Sequence, residues 1–134
     1  MDKSTLLEDV SKILAGLKEV GVAYIFGSFL EKEEFNDIDV ALLLFENLDP
    51  YQSLKFSLKV AGKLERQISP RFEFDVKILN SSPIELQFEV IRKGRIIFSR
   101  DEFSRIDYES EVISTYLDLK YMYDLIDKEF LARV

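Results

Sequence analysis

Residues 24–40 read YIFGSFLEKEEFNDIDV, and in them an apolar segment runs directly into Gly27 and Ser28. Ten residues beyond the glycine, Asp37 and Asp39 introduce a second apolar segment. Side chains alternate along a strand, so these two carboxylates point to the same face. Two carboxylates at such a short distance raise each other's pKa unless a cation lies between them. The stretch therefore predicts two core strands whose connection carries a pair of carboxylates suited to a divalent ion.

Composition narrows the chemistry that the chain can perform. It has no cysteine and no histidine, which excludes thiolate nucleophiles, Ser-His triads and imidazole metal ligands. Carboxylates, hydroxyls, lysine and arginine remain, and carboxylates select hard cations such as magnesium. The formal net charge of -7 disfavours direct binding to the phosphate backbone of nucleic acids.

Length and hydropathy indicate one α/β domain. The 134 residues are 47% apolar, which is enough for one hydrophobic core. We place that core at about residues 5–100 and a C-terminal helical extension at about residues 101–134. No apolar run reaches the length of a membrane span and no signal-peptide pattern opens the chain. We therefore expect a soluble cytoplasmic protein without membrane association.

Hydrophobic periodicity predicts the order helix, strand, strand, helix, strand, helix, strand, helix. Continuous apolar runs favour buried strands, and apolar residues three or four apart favour helices. The predicted helices cover residues 5–20, 50–68, 83–93 and 102–130, and a break near Asp107 in the last of them is left open. The predicted strands cover residues 22–26, 38–44, 72–79 and 95–98.

Local signals also predict how the helices begin, end and pack. Asp49 precedes Pro50 in the manner of an N-cap, and Gly21 suits the end of the first helix. Two further capping boxes are predicted, Thr5 with Glu8 and Ser82 with Glu85. The predicted buried stripe of the second helix is Leu54, Leu58, Ala61, Leu64 and Ile68.

A third carboxylate lies on a later strand. The segment FEFDVKIL at residues 72–79 alternates cleanly, with Asp75 between Glu73 and Lys77 on its polar face. If this strand pairs beside residues 38–44, three carboxylates converge. Three such groups can hold two hard cations about 3.5–4 Å apart, as in phosphoryl and nucleotidyl transfer.

Each of these signals is weak by itself. An Asp-x-Asp pair is more often a solvated strand edge or a turn cap, and Gly-Ser after a strand is more often only a turn. Glycine also lets a ligand approach the backbone, and exposed amides beside a hydroxyl can cradle phosphates. The ordered combination of Gly27-Ser28, Asp37, Asp39 and Asp75 is much rarer than any of its parts.

That combination resembles the minimal nucleotidyltransferases of the DNA polymerase β superfamily. The stretches YIFGS, NDIDVALLL, FEFDVKILN and ELQFEVIRKGRIIF occur in the family's order. The C-terminal helix resembles that of the MntA-type antitoxins in this family. The resemblance implies a palm-like mixed sheet flanked by helices, with a long C-terminal helix.

The resemblance also implies roles for five residues. Gly27 and Ser28 would bind the nucleotide triphosphate, Asp37 and Asp39 would ligate magnesium ions, and Asp75 would complete a second metal site and help to deprotonate the acceptor. The implied reaction moves AMP from ATP to a hydroxyl and releases pyrophosphate. The implied partner is a HEPN-domain toxin, which such antitoxins silence by adenylylating a tyrosine.

One departure from the family keeps an alternative open. The connection at residues 29–36, FLEKEEFN, is short, lacks a second glycine and carries three glutamates against one lysine. An acidic connection is a poor phosphate cradle, which favours a catalytically impaired binding module that neutralises or scaffolds a partner. A small-molecule transferase is a third reading, although such enzymes usually carry a larger acceptor-binding domain.

The last helix adds a surface prediction. The segment STYLDLKYMYDLIDKEF at residues 114–130 carries apolar side chains around much of its circumference. The domain can cover only part of such a helix, so the rest is predicted to contact a protein partner or a second copy of the chain. Complete wrapping by the domain is the alternative.

Overall fold

The computed structural model describes residues 2–133. The predicted order of helices and strands is confirmed, and two short elements are added to it. The elements are α1 (Lys3–Ala15), β1 (Val20–Phe26), α2 (Ser28–Glu31), β2 (Asp37–Leu44), α3 (Pro50–Gln67), β3 (Glu73–Ile78), a 3-10 turn (Leu79–Ser81), α4 (Ile84–Lys93), β4 (Arg95–Ser99) and α5 (Glu102–Ala132).

The four strands form one mixed sheet in the order β3-β2-β1-β4. Strand β1 runs antiparallel to β2 and to β4, whereas β2 and β3 are parallel. A parallel pair needs a crossover connection, and α3 provides it. The mixed sheet flanked by helices, with a long C-terminal helix, is the predicted fold class.

Alternation along β2 divides the molecule into two layers. Ile38, Val40 and Leu42 face the larger core, which α1 and α3 cover. Ala41 belongs to the smaller core on the opposite face, together with Tyr24 of β1 and Val90 of α4. Because side chains alternate, Asp37 and Asp39 project from the same face as Ala41. The carboxylate pair therefore lies at one end of the face that α4 and α5 flank.

The predicted ends of α1 were wrong. Asp2 is its N-cap and accepts a hydrogen bond from the amide of Ser4 at 3.3 Å, so no Thr5–Glu8 capping box forms. The helix ends at Ala15 with Gly16 as its C-cap, and Gly21 lies within β1. The turn after α1 is held by Arg100, whose guanidinium donates to the carbonyls of residues 15, 17 and 20 at 3.0–3.1 Å. The residues near α1 in the sequence do not indicate this long-range contact.

The start of α4 also differs from its prediction, whereas that of α3 is confirmed. Asp49 is the N-cap of α3 and forms a capping box with Gln52, and Pro50 is the first residue of the helix. Pro83 is the N-cap of α4 and supplies no side-chain cap. Ser82 does not cap α4, because its hydroxyl donates to the carbonyl of Ile78 at 2.7 Å.

The buried stripe of α3 is rotated from its predicted position. Phe56, Val60 and Leu64 are buried, whereas Leu54 and Leu58 are exposed. Helix α3 packs against β3, which is the edge strand of the sheet. One side of the helix therefore overhangs that edge, and Leu54 and Leu58 line a groove there.

Helix α5 is unbroken through Asp107 and is 31 residues long. Its first half packs on α4, where the rings of Phe88 and Tyr116 stack at 3.9 Å between centroids. Tyr24 of the sheet donates to Glu109 at 3.3 Å, which also ties α5 to the domain. From residue 120 to residue 133 every side chain is exposed. Between residues 2 and 133 no helix is both long and apolar enough to cross a membrane.

Candidate active site

The fold brings the three predicted carboxylates to neighbouring positions on adjacent strands. Asp37 is the first residue of β2. In the parallel register, Asp39 pairs with Asp75 and Asp37 pairs with Glu73. Residues that pair across adjacent strands project their side chains to the same face. Asp37, Asp39 and Asp75 therefore share one face and one end of the sheet.

Gly27 connects this acidic end to the turn after β1. Phe26, the last residue of β1, pairs with Asp39, so Gly27 follows directly beside that aspartate. Its φ of 77° and ψ of -153° belong to a region that only glycine occupies without strain. A Cβ at this position would overlap the carboxylate of Asp39. Glycine is therefore required here both by its dihedral angles and by the close approach of the aspartate.

Ser28 begins the short helix α2 immediately after this glycine. The first amides of a helix have no carbonyl partner within it. Gly27, Ser28 and Asp39 are thus brought together as the sequence predicted, because the β1–β2 pairing ends at this turn.

Electrostatics at the site favour the uptake of a cation. Burial first, and then the neighbouring charges of Asp75 and Asp37, raise the pKa of Asp39. The ammonium of Lys77 opposes this shift in pKa. Asp39 thus carries a destabilised negative charge that a bound cation would stabilise.

The donor set fits a hard cation in its chemistry. Carboxylate oxygens are the ligands that magnesium and manganese prefer. Within residues 2–133, however, no three acidic side chains already stand at coordination geometry. Asp75 instead pairs with Lys77, with 3.6 Å between its Oδ2 and the Nζ. Cation binding here requires the side chain of Asp75 to leave this exposed ion pair, which is weak in water.

The connection between Gly27 and Asp37 is more ordered than the sequence suggested. Phe29 is buried and its ring packs edge-on against Phe35, with 4.7 Å between centroids. The ammonium of Lys3 lies over both rings and donates to the carbonyls of Phe29 and Lys32. The sequence analysis did not predict this contact between Lys3 and the two rings. The presence of Phe35 among acidic residues could have indicated that this connection packs on the domain. Lys32 is exposed, and so are the acidic neighbours that follow it.

One prediction follows from the raised pKa of Asp39. The folded state holds this proton to higher pH than the unfolded chain, so the stability it contributes is present at low pH and is lost as the pH rises through the folded pKa. Without divalent ions, we expect Asp39→Asn to raise the melting temperature by a few degrees at pH 7. The difference in melting temperature between Asp39→Asn and the unmodified chain becomes smaller as the pH falls through the pKa of Asp39.

Thermal melts in chelator and in magnesium measure this effect. We expect magnesium to raise the melting temperature of the unmodified chain and to leave that of Asp39→Asn unchanged. Asp118→Asn, an exposed change on α5, is the matched control and responds to magnesium as the unmodified chain does. A melting temperature of Asp39→Asn below that of the unmodified chain at pH 7 would contradict the assigned electrostatics.

Comparison with known proteins defines the class of the chain. Residues 8–103 match the model of the family described as polymerase beta, nucleotidyltransferase. The match spans most of the chain and includes every strand of the sheet. The chain belongs to this nucleotidyltransferase family. A comparison with curated proteins gave no significant match.

Solved structures share the fold at low sequence identity. A chain from a complex of a tri-AMPylated HEPN toxin of Shewanella oneidensis with an MNT antitoxin aligns with a TM-score of 0.70 and 21% identity, covering 97% of this chain and 99% of that one. A chain of the toxin–antitoxin MntA–HepT gives 0.68 and 20%, covering 96% and 99%. A chain of a toxin–antitoxin structure with AMP-PNP gives 0.69 and 22%, covering 93% and 98%. The likeness extends over α5 as well as the sheet.

Proposed function

We propose that the chain is a metal-dependent nucleotidyltransferase that moves AMP from ATP to the hydroxyl of a tyrosine on a HEPN-type toxin. By this modification it acts as an antitoxin. The observation that carries this proposal is the register of β2 and β3, which pairs Asp39 with Asp75 beside Gly27. Membership of the nucleotidyltransferase family supports the reaction class. The fold likeness to chains from toxin–antitoxin structures supports the partner and the nucleotide, since the toxin is AMPylated in one of these structures and AMP-PNP is present in another.

Each site residue has a role in this proposal. Asp37 and Asp39 hold magnesium ions, and Asp75 completes the second ion site and accepts the proton of the attacking hydroxyl. Gly27 and Ser28 bind the triphosphate. The acceptor oxygen forms a bond to the α-phosphorus, the bond from that phosphorus to the bridging oxygen breaks, and pyrophosphate leaves. Magnesium supplies positive charge that stabilises the developing negative charge on the phosphates.

Transfer of the α-phosphate distinguishes this reaction from a kinase reaction. We expect a HEPN-type toxin that is incubated with the purified chain, magnesium and α-labelled ATP to become labelled. With γ-labelled ATP the toxin stays unlabelled and the label leaves as pyrophosphate. Label on the toxin from the γ-position, or from neither position, would overturn the proposed reaction.

The free half of α5 supports a protein partner. Leu117, Met122, Leu125, Ile126 and Phe130 are exposed on a helix that extends beyond the domain. Methionine and aromatic side chains are enriched at interfaces, and contiguous exposed apolar side chains mark interaction sites. A net charge of -7 also complements a basic RNA-binding partner. We therefore assign this half of α5 to the toxin; a second copy of the chain is the other candidate.

Substitutions on α5 test this interface. We expect Met122→Glu/Ile126→Glu to weaken the toxin complex at least about 100-fold, because each buried anchor contributes about 2 kcal/mol or more. Both side chains are exposed in the free chain, so its melting temperature stays unchanged. Titration calorimetry with the toxin measures the loss.

The matched control is Lys120→Glu/Lys128→Glu, which places two glutamates on the more charged side of the same segment. It retains most of the affinity. Equal affinity of the Met122/Ile126 variant and the unmodified chain would remove α5 from the interface. A change in the sedimentation of the chain alone would show that the surface joins two copies of it.

A non-catalytic binding module is the second candidate, and specific observations favour it. The connection after Gly27 is acidic, and Asp75 is paired with Lys77. Calorimetry discriminates the two functions, since only the enzyme binds magnesium-ATP in a manner that depends on Asp37 and Asp39. In either case we propose action in the cytoplasm, without direct binding to nucleic acid.

A further inference from the structure

A groove runs along the free edge of β3 and begins at the candidate active site. It encloses about 470 Å³ between β3 and the overhanging side of α3. Asp75 and Lys77 line it on the strand side, and Leu54 and Leu58 line it on the helix side. These leucines are 59% and 65% exposed, although they are large and apolar. The proposed proton acceptor thus lines the same open groove as two exposed leucines.

The backbone of β3 is open to this groove. The amide of Phe74 donates to Glu65 of α3 at 3.2 Å, so this residue's backbone groups point away from β2. Backbone groups point the same way every second residue, so those of Val76 and Ile78 also point outward. At one end of this edge Glu65 accepts from the amide of Phe74. At the other end the hydroxyl of Ser82 donates to the carbonyl of Ile78.

Between these capped ends lies a short row of backbone groups with the spacing of a strand. It consists of the carbonyl of Phe74, both groups of Val76 and the amide of Ile78. Among the described residues, no side chain hydrogen-bonds to the amide or carbonyl of Val76. A row of this kind pairs with an extended peptide, and the neighbouring apolar surface accepts alternate side chains of that peptide.

We propose that this groove binds the acceptor segment of the partner as an added strand on β3. This inference rests on the proposed function. The segment pairs with Val76 and Ile78, an apolar side chain lies against Leu54 and Leu58, and its hydroxyl residue reaches Asp75. The occupant is a partner protein segment because backbone pairing requires a peptide and because the groove leads to the group that takes the acceptor's proton.

Residue-resolved amide exchange tests the pairing directly. We expect the HEPN-type toxin to protect the amides of Val76 and Ile78 from exchange by at least tenfold. The opposite edge strand, β4, supplies the reference amides, whose exchange stays unchanged. A complex that forms without protection of Val76 and Ile78 overturns the proposal. Protection that appears in the chain alone and grows with its concentration assigns the edge to a second copy and also overturns it.

A substitution in the groove supplies an independent readout. We expect Leu58→Lys to raise the KM for the toxin at least tenfold while the affinity for magnesium-ATP stays unchanged. The matched control is Ile96→Lys, an exposed apolar residue on β4, which leaves the KM unaltered. Equal KM values for the Leu58 variant and the unmodified chain contradict the groove.

The outcomes separate this inference from the proposed reaction. Protection of Val76 and Ile78 without label transfer means that the groove is correct and the chemistry is wrong. Label transfer without protection means that the reaction is correct and that the groove does not bind the acceptor segment. If no complex forms at all, both proposals fail.

Discussion

We expect the double variant Asp37→Asn/Asp39→Asn to lose the proposed AMP transfer by at least about 1,000-fold. Both residues lie on one face at the start of β2, and they are the carboxylates proposed to hold the magnesium ions. Neutral amides bind hard cations far more weakly than carboxylates do. A loss of about 4 kcal/mol in transition-state stabilisation corresponds to 1,000-fold in rate, and metal charge supplies several kcal/mol in reactions of this class.

The measurement is the initial rate of α-label transfer to the toxin. Glu46→Gln is the matched control, since it removes an exposed carboxylate just beyond the opposite end of β2. It keeps the full rate. The double variant still binds the toxin with unchanged affinity, which separates catalysis from docking. A double variant that transfers AMP as fast as the unmodified chain would show that these carboxylates do not hold the catalytic ions.

Gly27→Ala places a side chain in the strained turn beside Asp39. A side chain at a φ of 77° and ψ of -153° costs about 1–3 kcal/mol, and its Cβ overlaps the Asp39 carboxylate. Either the turn or Asp39 has to move. Because displacement of about 1 Å in an active site can reduce the rate 100-fold, we expect transfer to fall by about that factor and the melting temperature to fall by several degrees.

Gly16→Ala is the matched control for this variant. Gly16 has a φ of -75°, and an added Cβ there lies in ordinary contact, 3.4 Å from the carbonyl of Ile13. Its rate and melting temperature remain close to those of the unmodified chain or rise slightly. Circular dichroism confirms that both variants fold. A Gly27→Ala variant with full activity and stability would contradict the close packing of this turn against Asp39.

Period-two alternation explains why so much of the candidate site could be predicted. It places Asp37 and Asp39 on one face without any knowledge of the fold, and it places Asp75 on the polar face of its own strand. The pairing of Asp39 with Asp75 then needed only that β3 lie parallel beside β2 in one register. The roles of these residues in catalysis remain predictions.

The features that sequence reasoning missed depend on contacts between distant segments. Arg100 donates a hydrogen bond to the carbonyl of Ala15 at the end of α1. The ammonium of Lys3 lies over the rings of Phe29 and Phe35. The rotation of α3 that exposes Leu54 and Leu58 follows from its packing on an edge strand. Helical periodicity identifies an apolar stripe, but it does not show which part of a wide stripe meets the sheet.

A crystal grown with manganese and a non-hydrolysable ATP analogue tests whether the three carboxylates hold catalytic divalent ions. We expect two anomalous peaks about 3.5–4 Å apart, both next to Asp37 and Asp39 and one also next to Asp75 after its side chain leaves Lys77. We expect the triphosphate to lie against Gly27 and Ser28. Manganese bound elsewhere, or an analogue bound away from the start of β2, would show that these carboxylates do not hold the catalytic ions.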